Sequence, residues 1–198
     1  HDDLFASVGV NHIWMPPGVL EAECTLEEPV GALRSDVAFV GSGHRHKSAY
    51  HPEWPYRTRL LAWLSETYGS RFRHWGGSGE RVVRNRELNQ VYASTKVVVG
   101  DSLCVGFEYP HYWSDRIPET LGRGGFLIHP RIPGLEAHYT DGQHLGLYDF
   151  DDWAGLHGKI EYYLAHDDER EAIRLAGHEH AKATATYTIR MRDMLAHV

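Results

Sequence analysis

The residues best suited to chemistry in this sequence lie in one short stretch, "YWSDRIPETLGRGGFLIHP" (112–130). Ser114 can cap a helix, and the free N–H groups of a first helical turn form a natural seat for an anion. Arg116 adds a fork of donors that suits phosphate oxygens. Glu119, about one turn further along, can accept hydrogen bonds from both hydroxyls of a ribose. Since Gly124 lets the backbone turn tightly, the stretch predicts a site for a phosphorylated nucleotide.

The same spacing also fits a purely structural interpretation. Ser114 would then only cap the helix, Arg116 and Glu119 would pair on its surface, and the glycines would end it. Asp115 counts against an anion seat unless its side chain points away. Spacing alone leaves both interpretations open, because such pairs are common on helices.

A second candidate for anion binding is "GSGHRHK" (41–47). Gly41 and Gly43 follow an apolar run and could cradle a diphosphate, with Arg45 and Lys47 supplying positive charge. The pattern is neither GxGxxG nor a P-loop, so an ordinary strand-to-helix turn is the alternative.

Two further signals are weaker. Trp75, in "HWGGSGE", could stack on a base or simply belong to the core.

His178 and His180 are two residues apart on a predicted helix, so their imidazoles face apart and are poor co-ligands. Because HExxH and CxxC are also missing from the sequence, no metal site is predicted.

Length, charge and composition limit the classes of protein to which this sequence can belong. The 198 residues suffice for one domain, and a net charge of -7 argues against non-specific nucleic-acid binding. No apolar run approaches the ~20 residues that cross a bilayer, and the start shows no signal peptide. Two cysteines, Cys24 and Cys104, make no disulfide framework and fit a reducing cytoplasm. The first residue is not Met, so we expect the chain to be part of something longer.

The predicted elements alternate between strand and helix. Predicted strands are "SDVAFVGSG", which runs into a glycine loop, "RFRHWGG", "KVVVGD", "GGFLIHP" and "HLGLYD", and helices lie between them and after the last one. This alternation predicts an α/β fold with a doubly wound parallel sheet, whose ligands bind beyond the carboxyl ends of the strands. The Pro/Gly/Glu-rich segment 13–34 is weakly periodic. We therefore predict a lead-in or linker over 1–34 and one domain over 35–198.

The residues from about 35 to the end resemble the C-terminal domain of GT-B glycosyltransferases. The likeness is greatest to the spore-maturation CgeB-like group, which is related to glycosyltransferase group 1. It is carried by a Ser-x-Arg-x-x-Glu helix, a small-Gly-Gly strand, the run "KIEYYL" and a closing T-x3-R-x3-ML helix. The segment "WMPPGV" (14–19) resembles the one that crosses between the two lobes of these enzymes.

The resemblance implies a Rossmann-like lobe that binds a UDP- or GDP-linked sugar and transfers it to an unknown acceptor. An N-terminal lobe or a partner chain would hold that acceptor. Glu119 would hold the donor ribose, Ser114 and Arg116 would face the diphosphate, and Gly41 and Gly43 would lie beneath the donor. The other donor-binding candidates are Ser42, Arg45, Trp75, Tyr112 and Gly124. The catalytic candidates, Arg116 and Lys47, would stabilise the departing diphosphate without a metal ion or other cofactor.

The chain also departs from the family pattern. Many group 1 enzymes carry a second Glu eight residues before the ribose Glu, where this chain has His111, and this leaves the stereochemistry open. Almost the whole acceptor lobe is missing from the chain. A non-catalytic sugar-nucleotide or glycan-binding module with the same fold is therefore the main alternative. An NAD-type oxidoreductase is a third hypothesis, against which the missing GxGxxG counts.

Overall fold

A computed structural model describes residues 2–43, 54–77, 79–102 and 112–197. The strands are β1 (Ser35–Val40), β2 (Phe72–Trp75), β3 (Thr95–Val99), β4 (Leu127–Pro130) and β5 (Gly146–Tyr148). The helices are α1 (Asp2–Ser7), α2 (Trp54–Tyr68), α3 (Asn85–Ala93), α4 (Arg116–Gly122), α5 (Trp153–Ala165), α6 (Asp167–Thr184) and α7 (Tyr187–Leu195).

The five strands form one parallel sheet in the order β2-β1-β3-β4-β5. The central strands are apolar on both faces, as strands covered by helices on both sides must be. Alternate residues of these strands enter two different cores. Ala38 and Val98 pack with α3 and α4, whereas Val37 and Val97 pack with α2 and α5. The predicted α/β fold class and doubly wound sheet are therefore confirmed.

The strand order fixes where a ligand can bind. The chain leaves β1 for β2 at the edge, then returns past β1 to β3 on its other side. The connections on the two sides of β1 therefore diverge, and they leave a crevice at the carboxyl ends of β1 and β3. The loops that follow these strands contain Gly41 and Asp101, and α4 follows the second of them.

The lead-in packs against the domain. Val19 forms a bridge with Thr186, and the Val30 amide donates to Ser94 Oγ at 2.8 Å. The side-chain amide of Asn89 donates to the Glu23 carbonyl at 2.9 Å and to Thr25 Oγ1 at 2.8 Å. Residues 19–30 are therefore tied to the sheet and its helices, while the division at residue 34 stays a prediction.

No helix within the described ranges combines the length and the apolar character needed to span a bilayer.

Candidate functional site

A buried carboxylate lies at the crevice between the tips of β1 and β3. Asp101 is 0% exposed and accepts hydrogen bonds from Arg57 Nε at 2.6 Å and Arg57 Nη2 at 3.0 Å. It also accepts from Arg116 Nη1 at 2.5 Å. Burial alone would raise the pKa of Asp101, but the guanidinium groups of Arg116 and Arg57 outweigh burial and lower it. With one carboxylate between two guanidiniums, this cluster carries a net charge of about +1.

Arg116 is held with one edge free. Its Nε donates to the Val40 carbonyl at 3.1 Å and its Nη1 to Asp101, and its guanidinium lies 4.9 Å from the Phe39 ring centroid. The side chain is only 11% exposed. Within the described residues Nη2 has no hydrogen-bond acceptor and lies beside Gly41. One donor edge of a rigidly held cation thus remains for a ligand.

Gly41 is required by this arrangement. Its φ of +155° is one that other residues rarely adopt, and a Cβ there would lie 2.5 Å from Arg116 Nη2. The Gly41 amide donates to the Trp75 carbonyl at 2.8 Å, which fixes the turn to β2. The next residue, Ser42, accepts from Arg57 Nη1 through its carbonyl at 3.1 Å. The structure therefore brings together Gly41, Ser42 and Arg116, three of the predicted site residues.

A neutral histidine, His129, lies near the cluster of Asp101, Arg57 and Arg116. His129, at the end of β4, is fully buried and donates from Nδ1 to the Pro130 carbonyl at 2.8 Å. Its Nε2 has no hydrogen-bond partner in the part of the chain that the structure describes. Burial lowers the pKa of His129 to about 4, so the ring adds no charge at neutral pH.

Glu119 pairs with Arg123 and not with Arg116, so the predicted surface pairing of Arg116 and Glu119 is wrong. Its Oε2 accepts from Arg123 Nε at 2.9 Å, while Arg123 also donates to the Glu23 carboxylate. The Glu119 side chain is 26% exposed, and burial raises its pKa above the ordinary value. Glu119 follows Arg116 by three helical positions, a rise of ~4.5 Å, so both remain within reach of one nucleotide.

Two predicted donor-binding residues have structural roles instead. Trp75 is 1% exposed, belongs to the core, and lies under the guanidinium of Arg73 at 4.2 Å, so it offers no face to a base. Gly124 follows the end of α4 with φ +78°, and its carbonyl accepts from Arg174 at 2.8 Å. Because Gly124 precedes β4, it lies toward the amino ends of the strands, opposite the crevice.

The start of α4 differs from the prediction. Asp115, not Ser114, is the N-cap, and the Asp115 side chain makes no capping hydrogen bond. Ser114 Oγ accepts from the Arg116 amide at a long 3.4 Å. The helix has only seven residues, and Pro118 contributes no N–H group. The cation of Arg116 is therefore a stronger feature of this site than the helix terminus.

The remaining predicted residues have mixed outcomes. Tyr112 precedes α4 with a 44% exposed side chain, and its role stays a prediction, as does that of Gly43. Arg45, Lys47 and His111 lie outside the described residues.

The histidine pair of α6 does not converge. His178 Nδ1 donates to the Gly122 carbonyl at 2.9 Å, and His180 Nε2 donates to the His138 carbonyl at 2.7 Å. Among the residues described, no three His, Cys, Asp or Glu side chains come together as metal ligands.

Sequence reasoning missed Arg57, Asp101 and His129. Arg57 lies on α2, a helix that links two predicted strands, and His129 lies inside an apolar strand. The signal for Asp101 was present in "VVVGD", where a carboxylate directly follows a buried strand at the edge that binds ligands.

A broad groove also opens at the opposite edge of the sheet, where β1 and β3 begin. Several of its charged side chains pair with one another: Asp36 accepts from Arg71 at 2.9 Å and from Lys96 at 3.3 Å, and Arg174 pairs with Glu171 at 2.5 Å. We place the candidate site at the strand tips instead, because Arg116 keeps a donor edge there that no other described residue occupies.

Solved structures share this fold. Sucrose-phosphate synthase from Thermosynechococcus elongatus matches with TM-score 0.63 and 15% identity, over 98% of this chain and 55% of that one. Anabaena HepE in complex with UDP matches with TM-score 0.65 and 11% identity, over 99% and 61%. The C-terminal domain of the glycosyl transferase group 1 protein LpcC from Francisella tularensis matches with TM-score 0.58 and 11% identity, over 86% and 100%. This chain spans less than two thirds of the length of the first two.

These identities are too low to establish more than the Rossmann-like lobe of the GT-B fold. No curated protein matches the sequence significantly. The family model described as "Glycosyl transferase-like" matches residues 57–196, which begin inside α2 and run through β2 and all later elements. The chain therefore belongs to the glycosyl transferase-like family.

Proposed function

We propose that this chain is the donor-binding lobe of a glycosyltransferase and that it binds a nucleoside-diphosphate sugar over the tips of β1 and β3. The observation that carries the proposal is the free Nη2 edge of Arg116 beside Gly41, within a buried cluster of net positive charge. A diphosphate is the part of a sugar nucleotide that such a cation suits. The topology independently favours this crevice for a ligand.

In this proposal Arg116 acts on the leaving group. Cleavage of the bond between sugar and phosphate builds negative charge on the departing diphosphate. A donor already fixed at that position stabilises this charge without reorganising, and such donors are typically worth ~3 kcal/mol each. Arg45 and Lys47 would add charge from the glycine-rich loop, and no metal ion is required.

Glu119 would hold the ribose from the same helix. Its carboxylate keeps acceptor capacity beyond the single hydrogen bond from Arg123. The HepE structures in complex with UDP and UDP-glucose support a uridine donor as the first choice to test.

The test is nucleotide binding by the 198-residue chain. UDP, GDP and their sugars are added in a thermal-shift panel, and the best ligand is titrated by calorimetry. A ligand at ~100 times its dissociation constant adds ~2.7 kcal/mol to stability. We expect Arg116→Gln to weaken binding of that nucleoside diphosphate about 100-fold, because a fixed charged donor is lost.

Arg71→Gln is the matched control. Arg71 pairs with Asp36 at 2.9 Å and with Glu161 at 3.5 Å, at the opposite edge of the sheet. The control removes the same charge, so its affinity should stay within about twofold of the parent chain. Equal losses in both variants would mean that only overall charge matters, and the proposed site would be wrong. Binding without release of UDP from UDP-sugar, once an acceptor lobe is supplied, would favour the non-catalytic module.

A further inference from the structure

Asp101 is a buried carboxylate that the proposed chemistry does not itself use. It touches no solvent, and a carboxylate would repel a diphosphate in the same crevice. Burying an ionised group is costly unless its partners compensate for the lost water. An anion-binding site that keeps such a group beside its principal cation therefore calls for an explanation.

The contacts of Asp101 show what it does to its neighbours. It fixes Arg116 through Nη1, while the Val40 carbonyl fixes the same guanidinium through Nε. These two contacts, on adjacent nitrogens, fix the plane of the Arg116 guanidinium and leave its Nη2 beside Gly41. Asp101 also holds Arg57, whose Nη1 reaches the Ser42 carbonyl at 3.1 Å. The Asp101 carboxylate thus contacts Arg116 directly and connects, through Arg57, to the turn at Gly41 and Ser42.

We propose that Asp101 is a positioning residue, which orients the Nη2 edge of Arg116 and the turn at Gly41 toward the phosphate that carries the sugar. This inference rests on the proposed function. The competing explanation is that Asp101 only offsets charge, holding the arginines until a diphosphate replaces it. The two explanations predict opposite results when the charge of Asp101 is removed.

The test compares UDP with UMP, or GDP with GMP if the panel selects guanosine. The ratio of the two affinities isolates the contribution of the second phosphate. If Asp101 positions Arg116, Asp101→Asn lowers this ratio about tenfold and leaves the UMP affinity within about twofold of the parent value. If Asp101 only offsets charge, the same variant raises the ratio, because an additional net positive charge then attracts the diphosphate. A raised or unchanged ratio overturns the proposal.

Asp36→Asn is the matched control for overall charge. Asp36 also accepts from two cations, Arg71 and Lys96, but it lies where β1 begins. Both variants change the net charge by one unit, but Asp36 is 31% exposed and lies at the other end of the strands. We expect the control to keep the parent ratio. A loss in Asp36→Asn alone would place the nucleotide in the opposite groove and would contradict the proposed site as well.

A measurement on the unaltered chain covers the case in which Asp101→Asn does not fold. Nitrogen-15 NMR of the arginine side chains follows the Nε–H group of Arg57 and the Nη–H groups of Arg116 during a UDP titration. Positioning predicts that both stay slow to exchange, because Arg57 Nε and Arg116 Nη1 remain on Asp101. Release of Arg116 from Asp101 on binding would speed its exchange and overturn the proposal. If the unaltered chain binds no nucleotide, the proposed function itself is contradicted, and this result differs from every outcome that contradicts the role of Asp101.

Discussion

Glu119 is held by Arg123, and this pairing decides what its removal should do. Arg123 keeps the Glu23 carboxylate and the Asn89 side-chain carbonyl as partners when Glu119 is lost. The guanidinium is therefore not left unpaired, and the fold should tolerate the change. A loss of nucleotide affinity in such a variant can accordingly be assigned to contact with the ligand.

We expect Glu119→Ala to remove discrimination between UDP and its 2′-deoxy analogue. A carboxylate that accepts from the ribose hydroxyls favours the ribonucleotide, and losing one charged hydrogen bond costs about tenfold. Calorimetry with the two nucleotides gives the ratio for the parent and the variant, and urea unfolding checks that stability is retained. An unchanged ratio would remove Glu119 from the site.

At the scale of elements, Asn89 joins the lead-in to two helices. From α3 its amide nitrogen donates to Glu23 and Thr25, and its Oδ1 accepts from Arg123 at 2.7 Å. The lead-in therefore stabilises the part of α4 that carries Glu119. This contact depends on one side chain whose partners lie in distant parts of the sequence.

Asn89→Ala should lower the free energy of unfolding by about 2 kcal/mol, because buried hydrogen-bonding groups lose their partner. Gln90→Ala, on the same helix, is the control and should change stability by less than about 0.5 kcal/mol. Urea unfolding of both variants measures the difference. Equal effects would show that the lead-in contributes nothing through Asn89.

The elements were predictable because their signals are local. The apolar runs of β1 and β3 and the glycines after β1 suffice to predict a parallel sheet with a crevice at its tips. The contact of Gly41 with Arg116 was not predicted, because it depends on how the Arg116 side chain is oriented. The pairing of Arg57 with Asp101 was not predictable, because it joins side chains 44 residues apart whose orientations depend on the packed core. The sequence left the role of Trp75 open between base stacking and the core for the same reason, since packing against Arg73 and the core determines its exposure.

At the scale of the whole molecule, buried histidines make stability depend on pH. Burial lowers the pKa of His129 to about 4 and also lowers the pKa values of His178 and His144. Each is more easily protonated in the unfolded chain, whose ordinary histidine pKa is about 6.5. Their contribution to stability is therefore fully present above pH 6.5 and is lost as the pH falls toward the folded values.

As the pH falls from 7 to 4.5, the titration of His129 alone should lower the free energy of unfolding by roughly 2.5 kcal/mol. Urea unfolding at a series of pH values measures this slope. His129→Asn should flatten the curve by that amount, because the replacement does not titrate. Parallel curves for the parent and the variant would show that His129 is not held neutral.

Gly41 also bears on how such a lobe can change over generations. Any side chain at this position strains the backbone and displaces the guanidinium of Arg116, and the nearest atoms that its Cβ would meet belong to that group and to the ring of Phe39. One codon change can therefore abolish ligand recognition. Descendants that keep ligand binding are expected to keep glycine at position 41, and a side chain there is expected only where this ligand is no longer bound.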